Sequence, residues 1–120
     1  MLLAVLLILS TFVTGCGGPC VMHLAPIRDI DIWADNYSPP QYFLYFVAVQ
    51  PDGCAHFDSY IMTRASNTTI IVEVFNLSCG TGCPQMESYV ELTIPLGSDF
   101  VPGGNYTVEV NNVIETFIAQ

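Results

Sequence analysis

The sequence contains no lysine, and its only arginines are Arg28 and Arg64. Eleven acidic residues give it a formal net charge of −9. Nucleic-acid binding depends on basic patches that release counterions from phosphates, so this composition predicts no nucleic-acid partner. The same charge argues against adsorption to anionic lipid head groups, and the scattered acids are typical of a solubilising surface.

Long apolar runs are also missing. The segment from Leu2 to Val13 is the most apolar in the chain, but a transmembrane helix needs about 20 such residues. Its length suits the hydrophobic region of an export signal, and small residues follow it. Residues 1–15 are therefore predicted to be a signal peptide.

The segment Val13-Thr14-Gly15-Cys16 resembles the lipobox of bacterial lipoproteins. The resemblance implies that Cys16 carries the lipid and is the first residue of the mature chain, with the membrane as partner. Two or three acyl chains anchor a protein stably where one does not. No basic residue precedes the apolar run, although one is usual. Secretion after cleavage behind Gly15 and an uncleaved, buried segment are therefore alternatives.

Five cysteines in an exported chain predict disulfide bonds. If Cys16 is lipidated, an even set remains, which allows three connectivities. This set is Cys20, Cys54, Cys79 and Cys83. The register of a hairpin around residues 65–67 places Cys54 opposite Ser78 or Cys79. Cys54 is thus near the loop from Cys79 to Cys83, and either end of that loop can be its partner.

Short runs rich in Val, Ile, Tyr, Phe and Thr alternate with turn residues, and no segment has a convincing helical period. Gln41 to Gln50 is continuously apolar, as in a central strand, and Asn111-Asn112 suits a type I′ turn. About seven strands are predicted, at residues 27–34, 41–50, 57–64, 69–76, 87–94, 106–110 and 113–119. This pattern predicts an all-β fold, an antiparallel β-sandwich over residues 24–120. Residues 16–23 would form a tether.

The stretch Pro102-Gly103-Gly104-Asn105-Tyr106 and the alternating residues after it resemble a segment of immunoglobulin-like and fibronectin-like domains in secreted bacterial proteins. In such domains the tyrosine hydroxyl bonds the backbone. The resemblance therefore implies that residues 24–120 form an immunoglobulin-like sandwich and that Tyr106 has a structural role. The chain from Gln41 onward is also similar to small exported domains of environmental bacteria and archaea, whose activity is unassigned.

Those similar domains carry two cysteines at the positions of Cys54 and Cys83. The resemblance implies a Cys54–Cys83 bridge, with Cys20–Cys79 as the second. A rival interpretation is metal binding. Zinc would use Cys54, His56, Cys79 and Cys83, and copper would use Cys20, Met22 and His23. Because export favours oxidation of thiols, we predict disulfides, with no metal or other cofactor.

Three further groups have both a chemical and a structural interpretation. Asp29, Asp31 and Asp35 offer oxygens for calcium, but Asp29 and Asp31 are two residues apart on one strand, as on any wet strand face. His56, Asp58 and either Ser59 or Ser88 could form a catalytic triad, although neither serine has a recognisable nucleophile motif. Four Asn-X-Ser/Thr sequons, at Asn36, Asn67, Asn76 and Asn105, could carry N-glycans in a eukaryotic or archaeal host. Because the lipobox-like segment indicates a bacterial protein, we interpret them as turn residues.

Five aromatic residues lie close together in sequence: Tyr37, Tyr42, Phe43, Tyr45 and Phe46. They could form a binding surface, but aromatic rings dominate the cores of small domains, so we interpret them as core. The chain is thus expected to be an exported, lipid-anchored, non-catalytic envelope protein with a possible envelope protein partner. The alternative is a secreted inhibitor or ligand-binding module without a lipid.

Overall fold

The computed structural model describes residues 19–120. Within this range the chain forms eight strands, and no helix is long and apolar enough to cross a membrane. The strands are β1 (Cys20–Leu24), β2 (Ile27–Ala34), β3 (Tyr42–Gln50), β4 (Ala55–Arg64), β5 (Thr69–Cys79), β6 (Ser88–Gly97), β7 (Asn105–Val110) and β8 (Val113–Ile118). The predicted all-β class is confirmed. The predicted signal peptide and Cys16 lie outside the described residues.

The strands form two sheets, and β5 is the centre of the larger one. One edge of β5 pairs along its length with β4. The other edge pairs first with β7 and then with β1, and β8 extends this five-stranded sheet beyond β7. The three-stranded sheet has the order β2-β3-β6. Every pair is antiparallel except β5 with β7, which is parallel and departs from the prediction.

The core lies between the two sheets because successive side chains of a strand point to opposite faces. In β5, Ile70, Val72 and Val74 are buried, while the residues between them lie on the outer face. In β3, Leu44 and Phe46 are fully buried against them. The alternation predicted for β5 is therefore confirmed, and β3 is central in its sheet as its apolar run indicates.

The predicted tether at residues 16–23 is wrong in its second half. Residues 20–24 form β1, and this strand pairs with the second half of β5. Every residue of β1 is exposed, so neither burial nor periodicity marks it in the sequence. The strand forms because β5 offers it an unpaired edge, and the sandwich therefore includes residues 20–23.

Tyr106 turns the chain into β7 with a buried ring. Its hydroxyl accepts a hydrogen bond from the backbone N–H of Val101 at 2.7 Å. The ring packs against those of Phe100 and Phe117, with centroids 4.9 and 5.5 Å away. A Cβ on Gly104 would lie 2.9 Å from this ring, so the glycine is needed for the close approach. The arrangement is the tyrosine corner of β-sandwiches.

Asn111 begins the turn between β7 and β8, and its side chain also bonds β5 and the residue that follows β1. Asn111 and Asn112 have φ of 45° and 77°, the left-handed conformation that a type I′ turn requires. The Asn111 side-chain amide donates to the carbonyls of Ala25 and Val74 at 2.7 and 2.8 Å. Its oxygen accepts the N–H of Val74 at 2.9 Å. Asn111 thus bridges the point where β5 changes partner from β7 to β1.

We expect Asn111→Asp to lower the free energy of unfolding by about 1–3 kcal/mol. Aspartate tolerates the positive φ, but it cannot donate to the two carbonyls and places a negative charge beside them. Asn112→Asp is the matched control, since Asn112 is exposed in the same turn, and we expect a change within about 0.5 kcal/mol. Urea unfolding measures both. Equal effects of the two substitutions would contradict the bridging role of the Asn111 amide.

Candidate functional site

Two disulfides lie at one end of the five-stranded sheet, where β1 and β4 begin and β5 ends. Cys20 bonds Cys79 and ties β1 to the end of β5. Cys54 bonds Cys83 and ties the turn before β4 to the loop after β5. This is the pairing favoured from the sequence. All four cysteines within residues 19–120 are thereby paired with one another.

The disulfides bear directly on the metal interpretations. Asp52, Cys54 and Cys83 place ligand atoms within 4.8 Å of one another, but the two sulfurs are bonded together and offer no thiolate. In the copper motif, Cys20 is likewise bridged. Met22 pairs with Leu77 and His23 pairs with Asn76, so their side chains lie on opposite faces of β1.

The residues suggested for catalysis do not converge. Ser59 donates its hydroxyl to Asp58 at 2.8 Å, rather than to His56. Ser88 lies in the three-stranded sheet and donates to Gln50. His56, on β4, lies opposite Leu77 of β5. Within the described residues, therefore, no serine of the suggested triad is bonded to an imidazole that could act as its base.

The aspartates considered for calcium lie in and just after β2, with Asp31 opposite Tyr45 of β3. Asp29 lies at a β-bulge in β2 with φ of 51°. Asp35 accepts the backbone N–H groups of Tyr37 and Gln41 at 3.2 and 2.9 Å, and so closes the loop after β2. Its carboxylate stabilises the fold as a turn-capping acceptor.

A cleft of about 260 Å³ opens at the end of the sandwich next to β1. His23, Asp52 and Ser78 contribute to its polar lining. The buried Asn76 also borders it, but its side chain is already bonded to the carbonyl of Val49 and to Gln50. Asn76 was predicted to be a turn residue, and this interpretation is wrong because it lies inside the core in β5.

The five neighbouring aromatic residues are divided between the core and the surface. Tyr42 and Phe46 are buried, as predicted. Phe43 and Tyr45 point to the outer face of the three-stranded sheet, and Tyr37 is 78% exposed in the loop after β2. The continuous apolar run concealed this division because it lacks the polar residues that usually mark the outer face of a strand.

The outer face of the three-stranded sheet carries an aromatic pair beside a polar row. Trp33 stacks on Phe43 across the strands, with ring centroids 4.5 Å apart, yet remains 44% exposed. One pair further along the sheet, Tyr45 donates its hydroxyl to Glu91 at 2.8 Å. This bond to Glu91, with a smaller effect of burial and of nearby negative charge, raises the pKa of Tyr45 above its ordinary value. The outer face therefore presents an exposed aromatic ring at Trp33 and polar oxygens at Tyr45 and Glu91.

The outer face of the five-stranded sheet is apolar at its β1 end. Met22 lies opposite Leu77 and Leu24 lies opposite Phe75, in two successive rows. The Cys20–Cys79 bridge forms the next row. We call these six residues the N-terminal patch. Met22 and Leu24 are each 49% exposed, and sequence patterns did not reveal the patch because it is formed by pairing β1 with a distant strand.

Two sheets around a common core and two disulfides define a small β-sandwich. The disulfides indicate an oxidising, exported environment, extracellular or periplasmic. Residues 46–119 match the ORF11 beta-sandwich domain family, and the chain belongs to this family. The match runs from the middle of β3 to the end of β8. Comparison with curated proteins and with solved structures gives no match.

Proposed function

We propose that this protein is a lipid-anchored, non-catalytic domain of the cell envelope, with a binding, structural or accessory role. The observation that carries the proposal is the distribution of the cysteines. The two bridges use Cys20, Cys54, Cys79 and Cys83. Cys16 is the fifth cysteine, and it follows Val13-Thr14-Gly15 directly behind the apolar run.

The non-catalytic role is supported by what the polar side chains do in the fold. Asp35 caps a loop, Asp58 bonds Ser59, and Gln50 bonds Asn76 inside the core. These groups stabilise backbone and turns, and each has a partner that does not need a substrate. The proposed role therefore depends on the surfaces of the sandwich rather than on a reaction centre.

A ligand-binding module without a lipid is the second candidate. It is favoured by the exposed Trp33 beside Phe43, since aromatic residues are enriched at binding surfaces. In that case the chain would be released after an ordinary signal peptide. Lipidation of Cys16 distinguishes the two candidates.

We expect Cys16→Ser to abolish incorporation of labelled fatty acid in a bacterial expression host and to move the mature domain out of the membrane fraction. The acyl chains attach through the Cys16 sulfur, which serine does not supply, and they hold the protein on the bilayer. Cys20→Ser is the matched control, because it removes a cysteine four residues away that the structure places in a bridge. Cys20→Ser is expected to keep the label. Label in both variants, or none in the wild type, would contradict the proposal.

A further inference from the structure

We infer that the N-terminal patch is the surface that rests on the lipid bilayer to which the chain is anchored. The inference depends on the proposed lipidation of Cys16 and adds the orientation of the domain on the membrane. The patch consists of Met22, Leu24, Phe75, Leu77 and the Cys20–Cys79 bridge.

The short chain between Cys16, the proposed lipidation site, and the start of β1 at Cys20 supports this inference. Cys16 and Cys20 are four residues apart, and a fully extended chain advances at most about 3.6 Å per residue. The Cα of Cys20 can therefore be no more than about 14 Å from that of the lipidated residue. Because the Cys20–Cys79 bridge fastens β1 to β5, the end of β5 at Cys79 is also held near the anchor.

The apolar character of the patch suits that position. Met22 and Leu24 are half exposed on an outer sheet face, with Phe75 and Leu77 beside them. Burial of such apolar area in the boundary between head groups and acyl chains is favourable. A water-facing role would leave this area exposed.

The distribution of charge points to the same end of the molecule. From Cys16 to Ile27 the chain contains no acidic residue and no arginine or lysine, and β5 contains none from Phe75 to Cys79. The first acid of β5 on this face is Glu73, two residues beyond Phe75. With a formal net charge of −9, the domain would be repelled by anionic lipids in most orientations. The uncharged area is limited to β1 and the end of β5, since Asp58 lies at the bulge of β4 beside the Phe75 row.

The methionines of the chain allow a direct test. Met22 lies in the patch, whereas Met62 faces the other side of the five-stranded sheet. The two have similar exposed fractions, 49% and 43%, so they should react alike in water. Lipidated mature protein is purified and reconstituted in vesicles of phosphatidylethanolamine and phosphatidylglycerol. It is then treated with a membrane-impermeant oxidant, and sulfoxide at each methionine is followed by mass spectrometry.

We expect Met22 to be oxidised at least about fivefold more slowly than Met62, as burial at the interface requires. Leu24→Glu should bring the two rates within about twofold, because a carboxylate in the patch opposes insertion. Ile118→Glu is the control, since Ile118 is exposed at the opposite end of the five-stranded sheet, and should preserve the protection.

Equal rates for Met22 and Met62 in anchored wild-type protein would overturn the inference and leave the anchor intact. Protection of Met22 that rises with protein concentration in Cys16→Ser, without vesicles, would assign the patch to a second copy of the chain and overturn it as well. Wild-type protein that does not stay with the vesicles would contradict both the anchor and the orientation.

Discussion

Tyr106→Ala is expected to lower the free energy of unfolding by about 3–5 kcal/mol, as truncations of buried aromatic residues do. Tyr106 is 4% exposed, and its ring packs against Phe100 and Phe117, which in turn contact Tyr42. Its removal leaves a cavity and also deprives the Val101 N–H of its acceptor. Urea unfolding of the protein in a Cys16→Ser background, free of lipid, measures the change.

Tyr106→Phe separates the hydroxyl from the ring. It keeps the packing and removes the bond to Val101, so we expect a loss of about 1–3 kcal/mol. Glu109→Gln, on the other face of β7, should change stability by no more than about 0.5 kcal/mol. Similar small losses for all three substitutions would mean that the corner does not hold β7 against the core.

Phe46→Ala is expected to cost about 3–5 kcal/mol, because the Phe46 side chain is fully buried between the two sheets. Phe43→Ala is its matched control, with the same change of side chain three positions earlier in β3. Phe43 lies on the outer face and contacts Trp33, so its removal forfeits a stacked pair worth about 0.5–1.5 kcal/mol and part of a half-buried surface. We expect a loss below about 2 kcal/mol.

The comparison of Phe46→Ala with Phe43→Ala tests which aromatic residues of β3 face the core. A larger loss for Phe43→Ala than for Phe46→Ala, measured by urea unfolding, would reverse the assignment of inner and outer faces.

Local rules predicted much of the fold. Alternation placed Ile70, Val72 and Val74 inside, because period-two burial is readable from one strand alone. The turn at Asn111-Asn112 followed from the tolerance of asparagine for positive φ.

Features that depend on distant pairing could not be read in the same way. β1 forms only because it meets β5, more than 50 residues later, and all its side chains are exposed. The Asn111 amide reaches Ala25, 86 residues away in sequence. The N-terminal patch likewise requires Met22 and Leu77 to be neighbours, which the sequence alone does not indicate.

For the candidate site, the sequence predicted the chemistry of the cysteines but not the arrangement of the surface residues. The cysteines of an exported chain favoured disulfide bridges over a metal site, because thiols oxidise in such compartments. The division of Phe43 and Tyr45 from Phe46 was missed, because an unbroken apolar run carries no mark of which face is outward. Trp33 stacks on Phe43 because the pairing of β2 with β3 makes the two residues cross-strand neighbours. The sequence alone does not give this pairing.

The most direct test of the anchored state is the intact mass of the mature protein, extracted from membranes with detergent and analysed by mass spectrometry. We expect a chain that begins at Cys16, with the added mass of a diacylglyceryl group on its sulfur and two disulfides formed. Tandem fragmentation should place the added mass on Cys16. A mature chain of unmodified mass, recovered from the soluble fraction, would contradict lipid anchoring through Cys16.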